Sequence, residues 1–216
     1  MRNALAALLF LGAPMWAAAM PTLIIDGTGK LTGATGVDVG GSFYDVTFLD
    51  GSCFSLFGGC DETTDFFFQT QSDAVAAAQA LLDQVFLDGP SGLFDTDGTL
   101  TQGCDAGGGS VGCWLVIPWT PYVFPLDAGL WPAVAFNWVD EASDLADTGF
   151  FGGDEFQQRN FDTGTGDPGG SCAPNICGRL AYAVWTDSAA VPEPGTLALL
   201  GLGLAGMGFS RRKKKV

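Results

Sequence analysis

The last 26 residues constrain this chain more than any other feature, because they cannot belong to a water-soluble core. Fifteen apolar residues from Gly195 to Phe209 are followed by five cations, Arg211, Arg212, Lys213, Lys214 and Lys215. Gly201, Gly203, Gly206 and Gly208 make the run a poor helix in water, and five charges do not follow a helix into a core cheaply. We therefore predict a short transmembrane helix over 195–210, with its basic end held in the cytoplasm.

A short proline-stiffened motif, Val191, Pro192, Glu193 and Pro194, stands directly before the apolar run. Motif, apolar run and basic cluster in this order resemble the PEP-CTERM sorting signal of Gram-negative bacteria. The resemblance implies transient anchoring in the inner membrane and cleavage near the motif by an exosortase. It also implies delivery to the cell envelope, the cell surface or the extracellular matrix. A permanent single-pass anchor is the alternative.

The N-terminus also has the pattern of an export signal. Arg2 gives a positive start, an apolar stretch follows, and Ala17 and Ala19 supply the small residues of a signal peptidase site. This pattern predicts a signal peptide over 1–19 rather than a membrane span of the mature protein. An uncleaved N-terminal anchor is the alternative. The exported body is then a single domain over 20–190, ahead of the tail at 191–216.

The exported body is strongly acidic. Without the two ends it keeps three basic residues, Lys30, Arg159 and Arg179, against 23 acidic ones, a net charge of −20. Such a surface repels nucleic acid and anionic lipid, so no nucleic-acid partner is expected. It suits divalent cations, cationic partners or simple solubility.

All six cysteines lie in the exported body: Cys53, Cys60, Cys104, Cys113, Cys172 and Cys177. An even number in an oxidising compartment predicts disulfides, although six cysteines allow 15 pairings. They form three local couples, so we predict Cys53–Cys60, Cys104–Cys113 and Cys172–Cys177. A zinc site is disfavoured because the chain contains no histidine and no C-x-x-C motif.

The body predicts an α+β fold, a single mainly antiparallel β domain with one main amphipathic helix. The helix is placed at 72–87, capped by Thr70 and supported by Asp73 in its first turn. Strands are expected at 23–25, 37–39, 42–49, 65–70, 114–119, 133–139 and 180–186. Residues 26–36 are expected to form a turn, and Pro118 to place its strand at a sheet edge or end. A β-sandwich is the alternative.

No catalytic motif is evident, so we expect a non-enzymatic structural or binding module associated with exopolysaccharide. The alternative is an extracellular hydrolase that uses two carboxylates. Five tryptophans, Trp114, Trp119, Trp131, Trp138 and Trp185, serve either as a sugar-stacking platform or as core. The association with exopolysaccharide is implied mainly by the resemblance of the tail. The body also resembles other uncharacterised exported proteins with this tail, through GVDVGGSFYDVTFLDGSC and AAAQALLDQVFLDGP.

Calcium is the one ion for which the sequence offers a candidate site. Asp95 and Asp97 lie in the segment Asp-Thr-Asp-Gly-Thr, which resembles the start of an oxygen-rich calcium loop. The EF-hand spacing fails, because Cys104 stands where the loop requires glutamate. The alternative is that both carboxylates cap turns. No other cofactor is expected.

Overall fold

A computed structural model describes residues 20–104, 112–124, 127–138, 144–148 and 180–188. These residues form nine strands and two helices, together with 3-10 turns at Thr63–Asp65 and Gly98–Leu100. The helices are α1 (Cys53–Leu56) and α2 (Gln71–Gln84). The strands are β1 (Thr22–Ile25), β2 (Leu31–Val39), β3 (Ser42–Leu49), β4 (Asp88–Gly89), β5 (Gly92–Leu93), β6 (Cys113–Phe124), β7 (Asp127–Asn137), β8 (Leu145–Asp147) and β9 (Leu180–Asp187).

Seven of the strands form one curled sheet in the order β1-β2-β3-β9-β6-β7-β8. The last strand in sequence, β9, lies in the middle of this sheet, antiparallel to β3 and parallel to β6. Every other neighbouring pair in the sheet is antiparallel. Strands β4 and β5 form a separate small hairpin.

Both faces of the central strands are buried. On one face, Leu115, Ala135 and Ala183 contribute to a core cluster that includes most of the buried residues of α2. On the other face, Trp114, Val134 and Tyr182 pack with the Cys53–Cys60 disulfide and Phe66. Because neighbouring residues of a strand point to opposite faces, strands buried on both sides read as continuous apolar runs such as 114–117 and 180–183.

Helix α2 confirms the one helix expected from the sequence. Thr70 Oγ1 accepts a hydrogen bond from the Asp73 backbone N–H at 3.2 Å, and Asp73 lies in the first turn. The helix packs on β2, β6, β7 and β8, which places it across the curl of the sheet. Its inner face is largely alanine, and small side chains allow close contact between helix and sheet.

Four features of the fold bear on the expectations. Residues 31–36 belong to β2 rather than to a turn, because Leu31, Ala34 and Val37 bury one side of the strand completely. Residues 65–70 form the end of a 3-10 turn and an extended connection, not a strand. Pro118 lies inside β6, opposite Pro132 and beside a register shift, but it stands past Val116, the last residue paired with β9, so its strand has a free edge at this point as expected. The strands of the main sheet form one layer rather than the two of a sandwich.

Within the part of the chain that the structure describes, no helix is long and apolar enough to cross a membrane. The signal peptide predicted over 1–19 and the transmembrane helix predicted over 195–210 lie outside the described residues.

Candidate functional site

The main sheet contains a fork between its two parallel strands. Strands β6 and β9 pair only from Trp114–Leu180 to Val116–Tyr182. Beyond that point β9 continues along β3 to Asp187, whereas β6 continues along β7. The two strands therefore separate toward their carboxyl ends.

A pocket of about 460 Å³ occupies this fork, and we call it the fork pocket. Its strand walls come from the residues that follow the last paired positions of each strand. Its remaining wall comes from the end of α1, the 3-10 turn at Thr63–Asp65 and the connection that follows that turn. The lining residues are Leu56, Phe57, Thr64, Asp65, Phe66, Phe67, Phe68, Gln69, Ile117, Pro118, Ala183, Val184 and Trp185.

Asp65 fixes the conformation of the 3-10 turn, which lies before α2 and forms part of one wall of the fork pocket. Its Oδ2 accepts hydrogen bonds from the backbone N–H groups of Asp61 (3.0 Å) and Glu62 (3.1 Å), which fixes the 3-10 turn. Thr63 Oγ1 lies 3.1 Å from Thr120 Oγ1 and ties the same turn to β6. The turn thereby sets the position of the three phenylalanines that follow it.

The three consecutive phenylalanines, Phe66, Phe67 and Phe68, divide between two environments. Phe66 and Phe68 are buried, and Phe67 stays 38% exposed. The Phe68 ring lies 5.4 Å from the Trp185 ring in edge-to-face geometry. The result is a pocket whose aromatic lining is buried at Phe66, Phe68 and Trp185 and partly exposed at Phe57 and Phe67.

Trp185 contributes a buried indole to the lining. Its side chain is 96% buried, as its exposure is 4%, and no described residue accepts from its indole Nε1–H. Buried indoles usually find a partner. The Trp185 indole nitrogen is enclosed by protein atoms, so this residue contributes its ring to the pocket.

The five tryptophans do not form one stacking platform. Trp114 and Trp138 lie 5.3 Å apart in the core cluster that holds the Cys53–Cys60 disulfide. Trp119 and Trp185 belong to the cluster on the α2 face. Sequence reasoning singled out tryptophans and missed Phe66–Phe68, although three aromatics between Asp65 and Gln69 are a local signal for an aromatic wall.

Asp95 and Asp97, the candidate calcium ligands, lie on the loop after β5. The backbone N–H of Asp95 donates to Asp88 Oδ1, and the Asp95 side chain is buried. Asp97 Oδ1 accepts from the Thr99 N–H and caps the second 3-10 turn. No group of three histidine, cysteine or acidic residues in the described ranges is placed to hold a metal. Calcium binding here stays a prediction.

Hydrogen bonds also lower the pKa of Asp88, the acceptor in this loop. Loss of solvent around its carboxylate raises the pKa, but the Thr96 hydroxyl and the N–H groups of Thr96 and Asp95 together outweigh that effect. The Asp88 carboxylate is therefore part of the turn structure.

Two of the three expected disulfides are present in the described residues, Cys53–Cys60 and Cys104–Cys113. The first closes the loop that covers one face of the sheet, and the second joins the start of β6 to the segment before it. Cys172 and Cys177 lie outside the described residues, so their pairing stays a prediction.

The C-terminal tail lies outside the described residues, but its sequence has a known counterpart. Residues 190–213 match the PEP-CTERM protein-sorting motif. The protein is therefore an exported bacterial protein that is sorted by an exosortase and transiently anchored in the membrane. The match includes Val191, Pro192, Glu193, Pro194 and the first three cations, Arg211, Arg212 and Lys213. A search of the curated proteins and a search of the solved structures each found no match to the chain.

Proposed function

We propose that the exported body is a non-enzymatic structural or binding module of the cell surface or extracellular matrix, associated with exopolysaccharide. The observation that carries the proposal is the fork pocket, which combines aromatic walls with a small number of polar side chains. Pockets of this composition bind ligands through apolar contact and a few orienting hydrogen bonds. The sorting tail supports a location outside the cytoplasm, because the motif implies export and processing by an exosortase.

The alternative, a hydrolase using two carboxylates, receives less support from the same pocket. Such an enzyme holds its two carboxyl groups on either side of the scissile bond, roughly 5–9.5 Å apart. The fork pocket is lined by one carboxylate, Asp65. Other described aspartates, such as Asp26 and Asp97, accept hydrogen bonds within exposed turns.

Co-sedimentation with insoluble or gelled polysaccharides tests the proposal. The exported protein with its disulfides intact is incubated with neutral and anionic polymers, and reducing ends are measured in the same tubes. Retention on a polysaccharide without release of reducing ends is expected. Steady release of reducing ends would support the hydrolase instead. Failure of the protein to co-sediment with any of the polymers would contradict the proposal.

A further inference from the structure

We propose that one end of the main sheet rests on the lipid surface while the sorting tail still anchors the protein, with Phe43 in contact with the lipid. This end, which we call the hairpin end, consists of the β2–β3 turn at Gly40 and Gly41, the start of β3 and the end of β9. The inference concerns the anchored precursor, so it is independent of the ligand that the mature body binds.

Strand β9 connects the hairpin end directly to the sorting tail. Its last residue, Asp187, pairs with Tyr44 near the start of β3. The next residue, Ser188, donates its backbone N–H to the Phe43 carbonyl at 3.3 Å. The match to the sorting motif begins at residue 190, two positions after Ser188. The tail therefore leaves the body from the hairpin end.

The length of the connection limits how far the hairpin end can lie from the membrane. The apolar run of the tail begins at Gly195, seven residues after Ser188. Seven residues reach at most about 25 Å in any conformation, whereas a body of about 170 residues is roughly 40 Å across. Because the connection is shorter than the body is wide, the anchored body cannot turn its hairpin end away from the membrane.

Phe43 gives the hairpin end an apolar side chain for contact with lipid. It is 46% exposed, next to a turn whose two glycines, Gly40 and Gly41, carry no side chains that would cover it. Both glycines have positive φ, 63° and 90°, and Asp38 Oδ1 accepts from the Gly41 N–H at 2.7 Å, which fixes the turn. Burial of the exposed half of a phenylalanine favours contact about 3- to 10-fold.

Charge indicates which lipids the hairpin end accepts. Its charged side chains, Asp38, Asp45 and Asp187, are all acidic. Lys30, the one cation among the described residues, stands just before β2 and therefore at the opposite end of that strand. Electrostatic attraction to anionic headgroups is thus absent from this surface. The contact rests on apolar burial and favours lipids without net charge.

Site-specific photocrosslinking of the full-length precursor in phosphatidylcholine vesicles tests the orientation. A photoreactive phenylalanine analogue replaces either Phe43 or Phe54. Phe54 is the matched control, because it is 48% exposed and lies on α1, beyond the far end of β3. Lipid crosslinks are expected at position 43 in about threefold or greater excess over position 54. Equal yields at the two positions would overturn the proposal, because the body would then lie in no preferred orientation.

A second measurement separates the contribution of Phe43 from that of the short connection. The photoreactive group is placed at Ser42, and Phe43→Ser is compared with the control Phe54→Ser. Phe43→Ser should lower the lipid crosslinks about 3- to 10-fold, and Phe54→Ser should leave them unchanged. Peptide mapping of the two described disulfides checks that both variants are folded. An unchanged yield in Phe43→Ser would show that Phe43 does not contact lipid and would overturn the assignment.

Two further arms test the kind of partner. Vesicles rich in phosphatidylglycerol should give fewer crosslinks from position 43 than neutral vesicles do, and a higher yield would contradict the role assigned to the acidic side chains. In cells that contain the exosortase, lipid should remain the main product at position 43. Crosslinks to a protein instead of lipid would overturn the proposal and assign the hairpin end to a protein partner. Co-sedimentation of the mature body with polysaccharides is unaffected by any of these outcomes.

Discussion

A side-chain amide at the end of α2 takes the place of a missing strand beside β2. Strand β1 pairs with β2 only as far as Thr35, so the last residues of β2 have no neighbouring strand on that side. Gln84 Oε1 accepts from the Asp38 N–H at 3.0 Å, and Gln84 Nε2 donates to the Asp38 carbonyl at 2.8 Å. Gln84 thus gives Asp38 both hydrogen bonds that a strand would give.

Replacing Gln84 by alanine should therefore destabilise the body measurably. Two hydrogen bonds of about 1 kcal/mol each give an expected loss of about 2 kcal/mol. For a domain of about 170 residues this corresponds to a Tm lower by roughly 4–8 °C. Gln79→Ala is the matched control on the same helix, because Gln79 only donates to Asp83 on the exposed surface. Its expected change lies within about 0.5 kcal/mol.

Urea and thermal unfolding followed by circular dichroism measure both variants. A third variant, Gln84→Glu, keeps an acceptor for the Asp38 N–H but places a carboxylate against the Asp38 carbonyl. It should be less stable than the wild type at neutral pH and should recover part of the loss at about pH 4, where the acid regains a donor. Equal stability of Gln84→Ala and Gln79→Ala would refute this reasoning.

The remaining predictions concern the disulfides, an exposed carboxylate and calcium. Replacing both cysteines of one disulfide by serine, either Cys53 with Cys60 or Cys104 with Cys113, should lower the free energy of unfolding by about 2–3 kcal/mol, because the bridges close loops of seven and nine residues. Urea midpoints equal to that of the wild type would contradict this expectation. The Thr28 hydroxyl and, to a smaller extent, backbone N–H groups lower the pKa of Asp26 by hydrogen bonding to its carboxylate. The carboxylate therefore stabilises the folded state above the unfolded pKa of about 3.9, and this stabilisation is lost as pH falls through the lower pKa of the folded state. Asp26→Asn should make the fall of Tm between about pH 4 and pH 2 less steep than in the wild type. An equally steep fall in the variant would argue against this role of Asp26. Millimolar Ca²⁺ should raise Tm beyond ionic-strength-matched NaCl if Asp95 and Asp97 hold the ion, whereas identical melting curves would leave both residues as turn formers.

Local patterns in the sequence predict much of this fold. Thr70 with Asp73 marks the start of α2, and the apolar run at 180–186 marks β9, because a cap and a strand depend on neighbouring residues. The two short disulfide couples were also predictable, since their members lie close in sequence. The strand predicted at 65–70 is wrong because aromatic residues favour strands in general, whereas the hydrogen bonds of Asp65 fix the start of this segment in a turn.

The fork pocket could not be predicted from the sequence. It depends on the parallel pairing of β6 with β9, whose paired residues Trp114 and Leu180 stand far apart in the chain. It depends equally on where that pairing stops, which no single strand encodes. The exposure of Phe67 and the burial of Trp185 follow from these tertiary contacts.

The mass of the protein recovered from outside the cell tests most directly the central claim that the body is exported, oxidised and released from its sorting tail. Mass spectrometry without reduction should show a chain that has lost the signal peptide and ends within or near residues 191–194, with all six thiols unavailable to alkylation. Glu193→Ala, or deletion of 211–215, should leave the precursor unprocessed. Wild-type protein that still ends at Val216 would contradict the account.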